Sequence, residues 1–300
     1  MASYFSFPCT ALLLALILKS SAAISSPEDP NQINNQADQF SQTDNHQIFN
    51  FPGGLVSFNI RKQSDDIPEV KYGLTEPAII DQGHHWRVVI GIGLQTLPGQ
   101  YVAYIKHGIK GISGQHQKVF VEYFNYPYLE ANAYQAQEFK ALFIEHKSFS
   151  NIDFNNSQQP SLPLKLPLKG DWDNHFGHAI NINNEKTLLT PNSVSLSTSK
   201  LKPVVSPQNA IVSKIETSDD GSSSVFLDHG RGIYSILSGL SDLAVDEGDG
   251  IKTGAVIGKL RSNKGNSSNR ESVKNTPRLI WQTVVNGEYV NPLLLAKFKL

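Results

Sequence analysis

Sulfur is nearly absent from this chain: its 300 residues include one cysteine, Cys9, and one methionine, Met1. A lone cysteine excludes an intrachain disulfide framework. Cys9 also precedes the apolar run at 10–18, whereas a lipidated cysteine would follow such a run. A charge excess of either sign is missing too. Lys and Arg number 26 against 27 Asp and Glu, so the formal charge is −1. There is no basic surplus to neutralise phosphates, and no nucleic-acid partner is expected. Long apolar runs are the third absence. TALLLALIL at 10–18 is too short to span a bilayer, and no later segment is a better candidate.

The run at 10–18 is followed by small residues, Ser21-Ala22-Ala23, so residues 1–23 read as a cleaved signal peptide. An uncleaved anchor is the alternative. Cleavage would leave a mature chain with no cysteine, hence no thiolate nucleophile and no cysteine zinc site. No transmembrane segment would remain. Export without disulfides fits a bacterial periplasm, or secretion, better than a disulfide-built fold. Residues 24–48 are dominated by Asn, Gln, Asp and Ser and bury too little apolar surface to order themselves, so they read as a disordered tether.

Short β-type runs are what the rest of the chain supplies. Residues 49–128 carry six or seven of them between Gly and Pro signals, which predicts an antiparallel β-sandwich. Residues 129–167 read as a helix, Tyr134–His146, and a proline-bearing linker. From 168 to 300 strand signals resume and end in Thr276–Pro292. There Leu279, Trp281, Thr283 and Val285 alternate with Arg278, Ile280, Gln282 and Val284, ahead of a hairpin signal at Asn286-Gly287. The expected fold is mainly β: an N-terminal sandwich, one connecting helix and a C-terminal sheet domain resembling a barrel-sandwich.

Ordered landmarks give the C-terminal region a family likeness. They are Phe176-Gly177, Pro203-Val204-Val205, Phe226-Leu227-Asp228-His229-Gly230, Val245 through Asp249, Lys252 through Gly258, and Leu279, Trp281 and Val290-Asn291-Pro292. In this order the set resembles the LytM/lysostaphin family of zinc endopeptidases, which cut cross-links in bacterial cell walls. The N-terminal sandwich is similar to a module that precedes this domain in some members.

That resemblance implies three zinc ligands and an open fourth position, where the ion activates water for attack on an amide. It also says where they should be. The family's His-x-x-x-Asp element, counted back without gaps from Pro203 and Pro207, falls on Pro191 and Ser195; a one-residue slip puts Asn192 in place of Pro191. Its His-Leu-His strand falls on Arg278-Leu279-Ile280, with Ile280 at the third ligand and Arg278 at a catalytic histidine. The remaining catalytic histidine falls on Gly239. Isoleucine cannot coordinate zinc and a guanidinium repels it. The expectation is a degenerate domain without zinc and without catalytic residues.

Other motifs have plainer readings. His175 and His178 lack a carboxylate or cysteine at matching spacing and are expected in a solvated or capping role. His84-His85 reads as a turn entering a strand, and Asp228 with His229 as a secured strand end. Gly91-Ile92-Gly93 lacks the later glycine and helix of a phosphate loop. Asp219-Asp220-Gly221 and Glu247 through Gly250 read as turns rather than calcium loops. Pro207-Gln208-Asn209-Ala210 carries no lysine, which excludes a lipoyl or biotinyl carrier. The expected role is a non-catalytic envelope protein that binds peptidoglycan or a wall hydrolase such as an amidase. The alternatives are an active peptidase with unrecognised ligands and a structural envelope component.

Overall fold

Residues 49–106, 114–144, 158–182, 188–198, 202–261 and 276–298 are described by the computed structural model. The leader at 1–23 and the tether at 24–48 lie outside these residues. The N-terminal module begins with β1 (Leu55–Arg61), β2 (Glu69–Tyr72), β3 (Ala78–Asp81), β4 (His85–Gly91), β5 (Gly99–Lys106) and β6 (Gly114–Val121). They form two three-stranded antiparallel sheets, ordered β1-β4-β3 and β2-β5-β6. Alternation builds the core: Val70, Ala103, Ile105, Val119 and Val121 from one sheet meet Ile60, Trp86, Val88 and Ile90 from the other.

A short bridge follows. β7 (Tyr128–Ala131) leads into α1 (Ala133–Lys140), and β7 pairs in parallel with β8 (Ala179–Ile182), which pairs with β9 (Leu188–Leu189). Asn132 opens α1 with a reciprocal cap: Gln135 N–H donates to Asn132 Oδ1 at 2.9 Å, and Asn132 N–H to Gln135 Oε1 at 3.1 Å. The helix stops at Lys140, short of the expected His146. Glu145 and His146 fall outside the described residues. Leu142 is buried as its helical pattern suggested, but in a turn, because its carbonyl accepts from Ser193 Oγ (2.6 Å) and Asn192 N–H (3.3 Å).

The C-terminal region contributes β10 (Val194–Ser197), β11 (Pro203–Val205), β12 (Ala210–Thr217), β13 (Ser223–Gly230), β14 (Ile233–Ser241), β15 (Gly250–Ile251), β16 (Val256–Leu260), β17 (Arg278–Val285) and β18 (Glu288–Val290). They form one nine-stranded sheet along the order β10-β17-β14-β13-β12-β15, with β18 on β17 and β16 joining β11 to β14. It is open rather than a closed barrel. β13 and β14 are buried almost throughout, as expected of central strands covered on both faces.

One helix was expected and a second is present: α2 (Pro292–Lys297), capped by Asn291 Oδ1 accepting from Leu293 N–H at 3.0 Å. Six residues are too few for periodicity to register. None of the described helices is long and apolar enough to cross a membrane.

The N-terminal module rests on this sheet through close backbone approach. A Cβ on Gly91 would come within 2.6 Å of the Val285 carbonyl oxygen, so that glycine is a packing requirement.

Candidate functional site

Strand register brings two of the positions that the resemblance points to, Ser195 and Ile280, face to face. Ser195 on β10 lies opposite Ile280 on β17, which lies opposite Ser238 on β14, which lies opposite Ser224 on β13. The row presents three hydroxyls and a hydrocarbon, and of its members Ser195 and Ile280 stand where the resemblance expects a carboxylate and an imidazole. Ser238 accepts from Ser224 at 2.7 Å, and the backbone of Ser195 forms an isolated bridge to Asp173. Two residues along, Arg278 faces Ser197, and its Nε donates to Ser197 Oγ at 3.2 Å.

Gly239 is the bulged residue after Ser238, at φ 90°. A Cβ there would stand 2.3 Å from the Arg278 carbonyl oxygen, so the position excludes any side chain. Pro191 is turned to backbone use, its carbonyl accepting from Gly177 N–H at 2.8 Å.

The connector after β7 lies over this face of β17. Asn192 donates from Nδ2 to the Ile144 carbonyl at 2.9 Å, and its Oδ1 accepts from Ile144 N–H at 3.2 Å and Gln282 Nε2 at 2.9 Å. Gln282 Nε2 also reaches the Ile144 carbonyl at 3.0 Å. Arg278 pairs with Glu138 of α1 at 3.6 Å. Residues 138–144 of the same chain thus bond to this face of β17 at Gln282 and Arg278, while Ile280 and Gly239 stay partly exposed. Nothing in the sequence pattern announced these contacts. Their one local signal was the pair of buried amides, Asn192 and Gln282, which require hydrogen-bond partners.

The histidines depart from expectation. His178 is 2% exposed rather than solvated, and its ring stands edge-on to His175 at 5.2 Å, which in turn meets Phe139 at 5.1 Å. Burial, then the neighbouring His175, pushes His178 down to about 4. Burial also holds His175 below its ordinary value. Asp173 opposes that shift, and Arg278 adds to it.

His229 is fully enclosed between the Asn209 carbonyl (3.0 Å from Nδ1) and Ser235 Oγ (2.9 Å from Nε2), and burial pushes it down to about 4. Asp228 Oδ1 accepts from Gly230 N–H at 2.8 Å, completing the strand end. His84 lies in a turn and His85 begins β4. Asp220 accepts from Ser222 and pairs with Arg261 at 2.8 Å, which is turn chemistry.

Zinc does not fit the residues at the family positions. Pro191, Ser195 and Ile280, with Gly239 and the Arg278 guanidinium beside them, offer no imidazole, thiolate or carboxylate donor. Among the described residues, no three His, Cys, Asp or Glu side chains converge as a metal site elsewhere.

Comparison with known proteins agrees with this frame. Residues 190–292 match the model of Peptidase family M23. No curated protein matches the chain. A solved structure assigned to peptidase M23 from Pseudomonas aeruginosa is 20% identical, with a TM-score of 0.57, over 82% of this chain and 95% of that one. At that identity the likeness is one of fold, and it extends into the N-terminal module. The antimicrobial peptidase lysostaphin from Staphylococcus simulans is 22% identical over 35% of this chain and 43% of its own, with a TM-score of 0.29. The SpoIIIAH–SpoIIQ complex is matched at 20% identity over 44% and 90%, with a TM-score of 0.29. The register of β10, β17 and β14 and the family match point the same way: residues 190–292 are a peptidase family M23 domain of the LytM type.

Proposed function

We propose that this chain is a non-catalytic LytM-type protein of the bacterial cell envelope, exported to the periplasm or beyond, that binds peptidoglycan or a wall hydrolase such as an amidase. The observation that carries the reading is the cross-strand row Ser195–Ile280–Ser238. Amide hydrolysis in this family depends on a metal-activated water and a positioned acid–base group. Here the positions that the resemblance assigns hold a proline, one serine hydroxyl, a hydrocarbon, a cation and a glycine with no room for a side chain. The bonds of the connector to Gln282 and Arg278 beside these positions support the same conclusion.

The test uses the purified full chain without its leader, incubated with intact sacculi alone and with an added amidase. The chain alone should release no fragments and hold no stoichiometric zinc by elemental analysis. It should co-sediment with sacculi or accelerate the amidase. Cleavage of cross-links by the chain alone, abolished by a chelator, would overturn the proposal.

A further inference from the structure

At the far end of the strands that carry the groove there is a cleft of about 780 Å³, a size ordinary for ligand sites. Its N-terminal wall is lined by apolar Ile67 and Leu74 and by the backbone of Val70 and Ile79; its polar wall is made by Arg231 and Asn286, in the turns after β13 and β17. Two features separate it from a packing gap.

The first is unspent polarity. Arg231 Nε and Asn286 Oδ1 are buried with no hydrogen-bond partner, and Arg231 has no carboxylate partner among the described residues. Asn286 is held in place by its other amide atom, Nδ2 donating to the Glu76 carbonyl at 2.9 Å. A buried donor and a buried acceptor left open in this way are costly unless a ligand meets them. Glu69, also on the wall, does not cancel Arg231, because its carboxylate is taken by Lys71 at 3.1 Å and Lys106 at 3.4 Å.

The second is open backbone. β2 and β3 are edge strands of their sheets. Tyr72 exchanges backbone bonds with Thr75 rather than with β5, so alternation leaves the N–H and C=O of Val70 on the unpaired edge. The Asp81 N–H is bonded outward to Gln159, which by the same alternation turns Ile79 outward on β3. Val70 and Ile79 send their side chains into the sandwich core, and so present main chain to the cleft. Leu74, fully exposed, and Ile67 stand at its rim.

We infer that this cleft is a peptide site: an extended segment with apolar side chains adds to the open strand edge and places its C-terminal carboxylate on Arg231. Main-chain bonds along an edge supply affinity, the apolar wall selects side chains, and the guanidinium selects a free terminus. Asn286 Oδ1 accepts an amide N–H of the same segment.

Fluorescence polarisation of the full chain tests this with labelled Thr-Val-Thr-Val-X pentapeptides, X being Val, Leu or Phe, each as free acid and as C-terminal amide. At least one acid should bind, with its amide weaker by about tenfold or more, the effect of one lost charge-assisted bond. Arg231→Gln should remove the acid-over-amide preference. Leu74→Ser, at a side chain that touches nothing needed for folding, should weaken both forms. Equal binding of acid and amide, a preference surviving Arg231→Gln, or no binding by any acid up to about 1 mM overturns the assignment.

Discussion

β14 and β17 are shared by two very different sites. At one end, around Ser238 and Ile280, the side-chain amide of Asn192 and Nε2 of Gln282 are bonded to Ile144 of the connector and to each other. At the other end, six or seven residues and roughly 20 Å away along the strands, Arg231 Nε and Asn286 Oδ1 are buried and unspent beside an open cleft. The same pair of strands thus has bonded amides at one end and open polar groups beside a cleft at the other, although the rings of His175 and His178 toward the groove also keep buried nitrogens without partners. A family match identifies the scaffold. The proposed peptide site draws its polar contacts from the open groups that line a cleft, Arg231 and Asn286.

The comparison breaks most directly at Gly239. Gly239→His would put a side chain at φ 90° against the Arg278 carbonyl oxygen, and should cost about 4 kcal/mol or more in chemical denaturation without producing peptidase activity. A variant as stable as the parent, or one that cleaves sacculi with zinc, would mean that the position does accept a side chain.

The two ends also each hold one buried histidine. His178 lies toward the groove, beside His175, which is itself near Asp173, Arg278 and Glu138; His229 lies near the cleft turn. Both are pushed down to about 4 from 6.5, so the unfolded chain takes up protons that the folded chain refuses. Stability should be full above pH 6.5, fall between 6.5 and about 4, and level off below, by up to about 3 kcal/mol per ring. Thermal melts of His178→Gln and His229→Gln should each show a shallower decline. Unchanged slopes in both would assign the titration elsewhere.

A smaller effect separates the bonded end from the open one. Asn192→Ala leaves the Ile144 N–H and C=O without the amide that pairs them, and should cost about 2 kcal/mol and speed exchange of the Ile144 amide. Leu74→Ser at the open end should stay within about 0.5 kcal/mol. Comparable losses at the two positions would erase the distinction.

The smallest effect is at the connector's ion pair. Arg278 and Glu138 are partly exposed, at 26% and 43%, and 3.6 Å apart, so Glu138→Gln should change stability by less than about 1 kcal/mol, vanishing in high salt.

What was legible in the sequence follows from the range of the signal. Alternation in 276–292 and Asn286-Gly287 located β17 and its hairpin; counting back from Pro203 pointed to Ser195 and the family's closing strand to Ile280, two residues that the register pairs across β10 and β17. The end of α1 was not legible, because Leu142 leaves the helix to serve Ser193 and Asn192, some fifty positions away. The helical pattern still counted its side chain correctly as buried. Asn291-Pro292 did announce α2, as a cap followed by proline, but only to a reading that weighs caps above periodicity. The connector's place on β17 depends on bonds between Gln282 and Ile144, 138 residues apart, and no local pattern encodes such a contact.

The parallel pairing of β7 with β8 has a mechanical consequence. The N-terminal module enters at the Tyr128 end of this ladder and the C-terminal sheet leaves at the Ile182 end, with four residue pairs between. A pull that separates the two therefore loads the strands from opposite ends. The ladder is sheared with its rungs strained together, rather than unzipped one rung at a time. A chain under tension between two attachment points would keep its halves joined through this short ladder, and the load would reach the groove only after the ladder had slipped.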